Sequence, residues 1–209
     1  MISYSAPAGD SWSRSLPLSD WAYDGRIDDD GVARGGLGML VDGVRGAGDF
    51  RPTHHKHRRL DGGSLRGKID VEVETEERST WVGWRNRTVV HDEHGLRRPG
   101  PVEIVLAFSG PRNFSAVYLH MNNKFTEGVQ VFSVAKVWFG VDGENYGPEP
   151  LLAHYAPDLL YEQARDVVVR LRHRIASHLK LRLYFASDWM MISEISLDSG
   201  ANEWLILYP

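Results

Sequence analysis

The chain has 209 residues, a formal net charge of −4 and no cysteine. This composition excludes disulfides, thiolate metal sites and cysteine nucleophiles, and it gives no indication of a nucleic-acid partner. Seven Trp and 21 Gly favour a turn-rich β protein over a helical bundle. No apolar run approaches the roughly 18 residues of a transmembrane helix, and the N-terminal residues MISYSAPAGDSWS lack the pattern of a signal peptide.

The first charged cluster in chain order is the acidic run Asp28–Asp30, which is followed by Gly31. It does not fit an EF-hand loop, because the first ligand position would fall on Arg26 and the closing glutamate on Leu37. We interpret this run as a solvated acidic loop.

The segment 35–51, GGLGMLVDGVRGAGDFR, contains six glycines. Glycines at this density disfavour a helix and suit tight turns in which backbone segments approach closely. Asp42 lies between Val41 and Gly43 with no cation next to it in the sequence. It fits either the cap of a turn, which the residues alone favour, or an oxygen ligand for calcium.

A histidine-rich basic segment follows at residues 51–68. Its histidines suggest a transition-metal site, and its Lys and Arg side chains suggest a polyanion such as heparan sulfate. The residues concerned are His54, His55, Lys56, His57, Arg58 and Arg59. Two of the histidines are sequence neighbours and do not converge easily on one metal. A solvated loop is the favoured interpretation, and weak heparan-sulfate binding stays a hypothesis.

Alternation of apolar and polar residues predicts strands through the rest of the chain. The predicted strand segments are 69–74, 81–84, 102–108, 115–119, 129–139, 166–173, 178–185 and 189–197. Residues 151–163 allow one or two helical turns, which Pro157 disfavours. The strand spacing, with turn signals between strands and no βαβ pattern, predicts one all-β domain, an antiparallel sandwich of jelly-roll type.

The sequence carries no motif typical of an enzyme, since GxGxxG, P-loop, GxSxG and HExxH patterns are all absent. We therefore predict that this chain is not an enzyme. Two N-glycosylation sequons begin at Asn86 and Asn113, and they would be used only in a secreted protein.

Several short motifs follow one another in a definite order. They are YSAP (Tyr4–Pro7), YDG (Tyr23–Gly25), GGLGxLxDG (Gly35–Gly43), DFR (Asp49–Arg51), WVGW (Trp81–Trp84), MNN (Met121–Asn123) and RLYFAxxWMxISEIS (Arg182–Ser196). With these motifs in this order, the chain resembles the discoidin-like second extracellular domain of the discoidin domain receptors, the collagen-activated receptor tyrosine kinases. The resemblance covers residues 2–199, and the glycine-rich block together with the SEIS ending is its most specific part.

The resemblance implies an eight-stranded discoidin jelly roll of the coagulation-factor C type. It divides the chain into a discoidin-like domain, residues 1–199, and a tail toward a juxtamembrane region, residues 200–209. It implies a non-catalytic extracellular module of a plasma-membrane glycoprotein whose tyrosine kinase lies elsewhere, so that the sequence is a piece of a longer receptor. The implied partners are the preceding collagen-binding discoidin domain, collagen through that domain and not directly, and a second receptor in a dimer.

The resemblance further implies a bound calcium ion. By position, its side-chain ligands are Asp42 and Glu194, and its backbone-carbonyl ligands come from Met39, Ser79, Trp81 and Ser193. Ser19 stands where the vertebrate receptors carry an Asn ligand, and Asp20 beside it is an alternative.

The chain departs from the family pattern in two further places. The family's disulfide would fall at Met121 and Leu181, which are both apolar here, so packing is expected to fill the space. The segment 52–80 is longer than in the vertebrate receptors, which bears on the ligand positions Ser79 and Trp81.

A second hypothesis belongs to a different functional class. It is a free-standing discoidin-type lectin or adhesion module that binds carbohydrate or lipid headgroups through loops at one end of the roll. Aromatic residues at loop tips would support it, and Trp12 and Trp21 are the candidates. A kinase encoded downstream would favour the receptor over the lectin.

Overall fold

A computed structural model describes residues 1–51, 78–86, 89–91 and 97–201. These ranges contain the strands β1 (Ser3–Pro7), β2 (Ser11–Ser13), β3 (Leu16–Pro17), β4 (Arg26–Ile27), β5 (Val32–Gly36), β6 (Val82–Arg85), β7 (Val89–His91), β8 (Arg97–Pro99), β9 (Val102–Met121), β10 (Val134–Gly140), β11 (Leu151–His154), β12 (Arg165–Tyr184) and β13 (Trp189–Ala201). The only helices in the same ranges are two 3₁₀ turns, Met39–Val41 and Phe125–Glu127. Neither turn has the length or apolar character needed to cross a membrane.

The two longest strands, β9 and β12, have 20 residues each, run antiparallel and belong to both layers of a β-sandwich. In the first layer the strand order is β11-β10-β12-β9-β1-β5-β4. In the second layer β9 lies between β12 and β13, and β6 pairs with β13. Register irregularities in the β9–β12 pair, between Arg170 and Arg174 and between Ala176 and His178, mark the passage from one layer to the other.

The hydrophobic core lies between the layers because alternate side chains of β9 and β12 point inward. Fully buried side chains of these strands include Ile104, Leu106, Val117, Leu119, Leu179 and Leu183. Burial of each contributes on the order of 1.5–3 kcal/mol. Met121 and Leu181 are buried in the same core, so apolar packing occupies the position of the implied disulfide.

A second, smaller cluster lies where the glycine-rich segment ends. It is formed by Leu16, Leu18, Phe50, Trp81, Val129, Trp189 and Met191, with Trp12 packed against it. Phe50 and Trp81 are each 1% exposed. The cluster therefore fixes the glycine-rich segment to β6 and β13 at this end of the molecule.

The predicted all-β antiparallel sandwich is confirmed. The predicted strands 102–108 and 115–119 are parts of β9, and 166–173 and 178–185 are parts of β12, because a β-bulge bends a strand without ending it. The helical turns allowed for 151–163 do not form, since the first four residues pair with β10 and the rest is irregular. The predicted strand 69–74 and the basic segment 52–68 lie outside the described residues, as does most of the predicted tail, since β13 continues to Ala201.

Candidate metal centre

The candidate centre is built around a contact between Glu194 of β13 and the turn that contains Gly43. The 3₁₀ turn Met39–Val41 ends at Asp42, and Gly43 follows with φ +83°, a left-handed conformation that glycine adopts without strain. This conformation directs the Gly43 N–H to Oε2 of Glu194, at 2.9 Å. The bond joins residues that are 151 positions apart in the sequence.

Asp42 and Glu194 are electrostatically coupled. Burial raises the pKa of Glu194 to about 7, and the negative charge of Asp42 acts in the same direction, whereas the Gly43 N–H and Arg45 oppose the shift. The Asp42 side chain itself is exposed and its Oδ1 accepts a hydrogen bond from Val44 N at 2.8 Å. Asp42 thus caps the turn, one of the two roles that the sequence left open, and its role as a calcium ligand stays a prediction.

Ser193 and Trp81 hold the next part of the glycine-rich segment. The Gly46 N–H donates to Oγ of buried Ser193 at 2.9 Å, and the indole N–H of Trp81 donates to the Ala47 carbonyl at 3.2 Å. A Cβ at Gly46 would lie 2.3 Å from the Trp81 ring. Ser79 contributes through its hydroxyl, which donates to the Phe50 carbonyl at 3.3 Å.

Asp20 and Ser19 are engaged in a different contact. Asp20 accepts hydrogen bonds from the Tyr4 hydroxyl and from the backbone N–H of Met39 (3.0 Å) and Ala22 (3.2 Å). Burial, and then the hydrogen bond with Asp20, raise the pKa of Tyr4. Ser19 lies with Tyr4 and Asp20 on a cavity of about 30 Å³. Asp20 therefore braces the 3₁₀ turn from the side of Tyr4, and none of its described bonds is shared with Glu194.

The donor set fits a hard cation. Within the described residues, no protein donor reaches Oε1 of Glu194 or Oδ2 of Asp42, and no group of three or more His, Cys, Asp or Glu side chains converges. A metal here would need backbone carbonyls and water as further ligands, which suits calcium. Ser193 is a bulged residue between Ile192 and Glu194 in the β9–β13 register, so its carbonyl lies outside the regular ladder. The Ser79 carbonyl, in contrast, accepts the indole N–H of Trp21 at 3.1 Å.

Four polar residues of this region were not predicted as site residues. His120 contacts Asp166 Oδ1 through Nδ1 (2.7 Å) and the Gly46 carbonyl through Nε2 (3.2 Å), while Arg45 pairs with Asp166 at 3.1 Å. Asn122 donates to the Gly48 carbonyl at 3.0 Å. The only sequence signal was the MNN motif next to His120, whose polar residues interrupt an otherwise apolar strand end.

The two sequon asparagines lie in different settings. Asn86 is half-buried just after β6, and its backbone N–H donates to the Asp188 carbonyl at 2.8 Å, while the other two residues of its sequon lie outside the described ranges. Asn113 lies within β9 between β12 and β13, and its Oδ1 is buried with no hydrogen-bond partner among the described residues. Glycosylation at either position stays a prediction.

Comparison with known proteins places the chain among receptor domains. A family model described as "Discoidin domain-containing receptor 1/2, DS-like domain" matches residues 1–67 and 59–199. The discoidin domain-containing receptor tyrosine kinase B of Caenorhabditis elegans is 28% identical over 202 residues, which cover 96% of this chain and 21% of that protein. The epithelial discoidin domain-containing receptor 1 of Homo sapiens is 31% identical over 207 residues, which cover 95% of this chain and 19% of that protein. The chain thus spans about a fifth of the length of these relatives.

Solved structures give weaker likenesses. The C-terminal domain of a chitobiase from Bacteroides fragilis has a TM-score of 0.41 and 15% identity, and the match covers 63% of this chain and 77% of that chain. Discoidin II of Dictyostelium discoideum has a TM-score of 0.33 and 12% identity, covering 45% of this chain and 37% of that chain. At TM-scores below 0.5 neither structure supports an argument about this chain.

Proposed function

The chain belongs to the discoidin-like (DS-like) domain family of discoidin domain receptors 1 and 2, and on that premise we propose that it is a calcium-stabilised extracellular module of a receptor tyrosine kinase. It supports an adjacent collagen-binding discoidin domain and meets collagen only through that domain. It is non-catalytic, because the family describes a receptor domain other than the kinase. Its place is the outer face of the plasma membrane, in a receptor that signals as a dimer.

The observation that carries the calcium proposal is the pairing of two carboxylates at one end of the sandwich. Glu194 is 8% exposed, and its pKa is raised to about 7 by burial, with Asp42 adding to the shift. A divalent cation beside these groups would remove their mutual repulsion and replace the lost hydration of Glu194. Asp42 and Glu194 would be its side-chain ligands, with carbonyls such as that of bulged Ser193 completing the shell.

The consequence of such an ion is mechanical support. Glu194 is on β13 and Asp42 follows the 3₁₀ turn, so one ion would close a loop of about 150 residues. A ligand that binds the folded chain and not the unfolded one stabilises by mass action, about 2.7 kcal/mol at 100 times its dissociation constant. The glycine-rich segment would then be held firmly enough to act as a platform for a neighbouring domain.

The lectin alternative loses its aromatic candidates. Trp12 packs with ring centroids 4.8 Å from Phe50 and 5.0 Å from Trp189. Trp21 is exposed, but its indole N–H bonds to the Ser79 carbonyl, and the guanidinium of Arg78 lies 5.1 Å above its ring. Both rings are engaged within the chain, which favours the supporting module over a sugar-binding loop tip.

The test is thermal unfolding of the purified chain, first in EDTA and then in millimolar calcium. Calcium is expected to raise the melting temperature by about 5–10 °C, as roughly 2.7 kcal/mol would do in a domain of this size. Asp42→Asn keeps an acceptor for Val44 N, and Glu194→Gln keeps one for Gly43 N, while each removes a charge. Both variants are expected to lose the calcium response and to be no less stable than the wild type in EDTA.

The matched control is Asp49→Asn in the same glycine-rich segment, where the carboxylate pairs with Arg51. It should keep the full calcium response. A wild-type chain that does not respond, or an Asp49→Asn variant that loses the response with the other two, would contradict the calcium proposal.

A further inference from the structure

A cluster of basic side chains lies where β9 and β12 bend between the two layers. We call it the arginine bend; it consists of Arg112, Arg170, Arg172, His173 and Arg174. The four residues on β12 are exposed, and Arg112 on β9 is half-buried. The β9–β12 register pairs Arg170 with Ala116, Arg174 with Phe114 and Ala176 with Arg112, so the whole cluster occupies one end of the second layer.

The backbone of the arginine bend is strained. Three residues of β12 lie between the pairs at Arg170 and Arg174, opposite a single residue of β9. Arg172 and His173 have φ values of 57° and 56°, and they are the only described non-glycine residues with positive φ. The left-handed conformation costs roughly 1–2 kcal/mol per residue for a side chain with a Cβ. Leu171, which is fully buried, anchors the bulge that presents these side chains.

The charges of the arginine bend are not neutralised within the described residues. Elsewhere, ion pairs engage the guanidinium groups of Arg26, Arg34, Arg45, Arg51, Arg165 and Arg182. No described carboxylate pairs with any member of the bend. Arg112 lies 5.9 Å from the Phe108 ring and Arg174 lies 5.7 Å from the Phe139 ring, contacts that hold the cations without cancelling their charge.

The nearest carboxylate by register is Asp198 of β13. It pairs with Ala116 on the side of β9 opposite to Arg170, which puts two strand spacings, roughly 10 Å, between the two backbones. The cluster therefore keeps an excess of positive charge. Guanidinium groups bind planar or tetrahedral oxyanions in a bidentate manner, which lysine does not.

A competing explanation is protection of a sheet edge. Within the described residues, the first half of β12 pairs with β9 alone, and charges and bulges on such an edge prevent pairing with another molecule. Protection of a sheet edge requires only a bulge and some charged side chains, which can be of either sign. It does not account for arginine at four positions, nor for retaining two strained residues where glycine would serve.

We infer that the arginine bend is a binding site for a sulfated polysaccharide chain. A sulfated glycan offers a row of oxyanions, which match a row of guanidinium groups. The inference rests on the proposed function in one respect, because an extracellular module meets such chains. A lipid bilayer is less suited to the site, because Ile175 is the one large apolar side chain exposed in the bulge. The site does not include any residue of the basic segment 52–68.

The experiment measures the dissociation constant of a size-defined heparin oligosaccharide by calorimetry over a range of salt. Three variants remove the same charge from three places: R170Q/R172Q/R174Q at the bend, K136Q/K180Q/R182Q on the outer face of the first layer, and K56Q/R58Q/R59Q in the basic segment. Only the bend variant is expected to bind about tenfold more weakly at 0.15 M salt and to show a shallower salt dependence. Desulfated heparin of equal length should bind weakly to every chain.

Several results would overturn the inference. They are an unchanged affinity in the bend variant, an equal loss in the first-layer variant, or a loss confined to the basic-segment variant. Self-association of the bend variant with unchanged heparin affinity would establish edge protection instead. Binding to phosphatidylserine vesicles without binding to heparin would establish a membrane surface. Thermal unfolding confirms that each variant is folded. The calcium response is measured on the same samples. It reports on the glycine-rich end of the molecule and therefore tests the proposed function separately.

Discussion

The glycine-rich end and the arginine bend lie at opposite ends of the second layer and are built on contrary principles. At the glycine-rich end a turn segment is held by hydrogen bonds with β9, with β13 and with Trp81, which precedes β6, and the charge of Asp42 acts on Glu194. At the arginine bend a regular strand is distorted to expose cations that have no described carboxylate partner. From His120 to Arg112 the two ends are eight residues apart along β9, or roughly 26 Å.

This difference separates two uses of polar residues. The backbone groups of the glycine-rich end are satisfied within the chain, so a change there is expected to reduce stability first. The cations at the arginine bend are exposed or half-buried and have no described carboxylate partner, so removal of their charge is expected to alter binding and to leave stability the same or higher. The two ends can be told apart by which property a substitution changes.

The largest effect is expected at Gly46. A Cβ there would meet Trp81 ring atoms at 2.3–2.7 Å, and Trp81 is 1% exposed, so the ring has no space to move into. Gly46→Ala should lower the free energy of unfolding by about 3 kcal/mol in urea denaturation. Gly48→Ala is the matched control, because nothing lies within 4 Å of its added Cβ, and it should change stability by less than about 0.5 kcal/mol. Equal losses in both variants would show that the packing of Trp81 is not the cause.

An intermediate effect is expected from the protonation of Glu194 in the metal-free chain. Its pKa is about 7 in the folded chain and 4.5 as the ordinary value, so the folded state keeps the proton that the unfolded state has released. The stability contributed by this group is complete below pH 4.5 and is lost as the pH rises through 7. Allowing for partial solvation, the loss is about 2 kcal/mol.

The measurement compares wild type with Glu194→Gln in EDTA over this pH range, because the difference isolates one group from the other carboxylates. The stability advantage of the Gln variant should grow with pH. With calcium present the wild type should instead gain from rising pH, since the metal competes with the proton for the carboxylate. A difference that does not vary with pH would contradict the raised pKa of Glu194.

The smallest effect, and one of opposite sign, is expected at His173. Glycine accepts a φ of 56° without strain but increases the entropy of the unfolded chain, so His173→Gly should stabilise by about 0.5–1 kcal/mol net. Arg170→Gly, at an ordinary strand conformation in the same exposed stretch, should destabilise by about the same amount. The measurement is the melting temperature of the two variants relative to the wild type. Destabilisation by His173→Gly would show that the bulge is not strained.

The sandwich could be predicted because alternation with period two is a direct consequence of one buried and one exposed face. The family could be identified because the glycine-rich block and the SEIS ending resemble the family pattern in their order as well as in their residues. The continuity of β9 through Ser109–Arg112 could not be predicted, since glycine and proline there have the appearance of a turn. Pairing with β12 and β13 on either side supplies the bonds that keep the segment extended.

For the candidate metal centre, the sequence pointed to the two carboxylates but not to the residues that hold the surrounding turns in place. The family resemblance pointed to Asp42 and Glu194, and their role as ligands stays a prediction. Asp20, offered as a possible ligand, is instead engaged by Tyr4 and by the 3₁₀ turn, because the close approach of β1 to that turn is set by tertiary packing. The roles of His120 and Asn122 depend on carbonyls of residues more than 70 positions away, a relation that no local pattern contains.

The pairing of both β1 and β13 with β9 has a mechanical consequence. Ser3 of β1 pairs with Ala107, and Ala201 of β13 pairs with Arg112, so the two strands are attached to one strand at points five residues apart. A pull applied between Ser3 and Ala201 would pass through the short stretch 107–112 and leave the rest of the sandwich unloaded. The glycine-rich end lies off this line of force, and the arginine bend lies on it. Tension on the chain would therefore reach the proposed glycan site and spare the proposed ion.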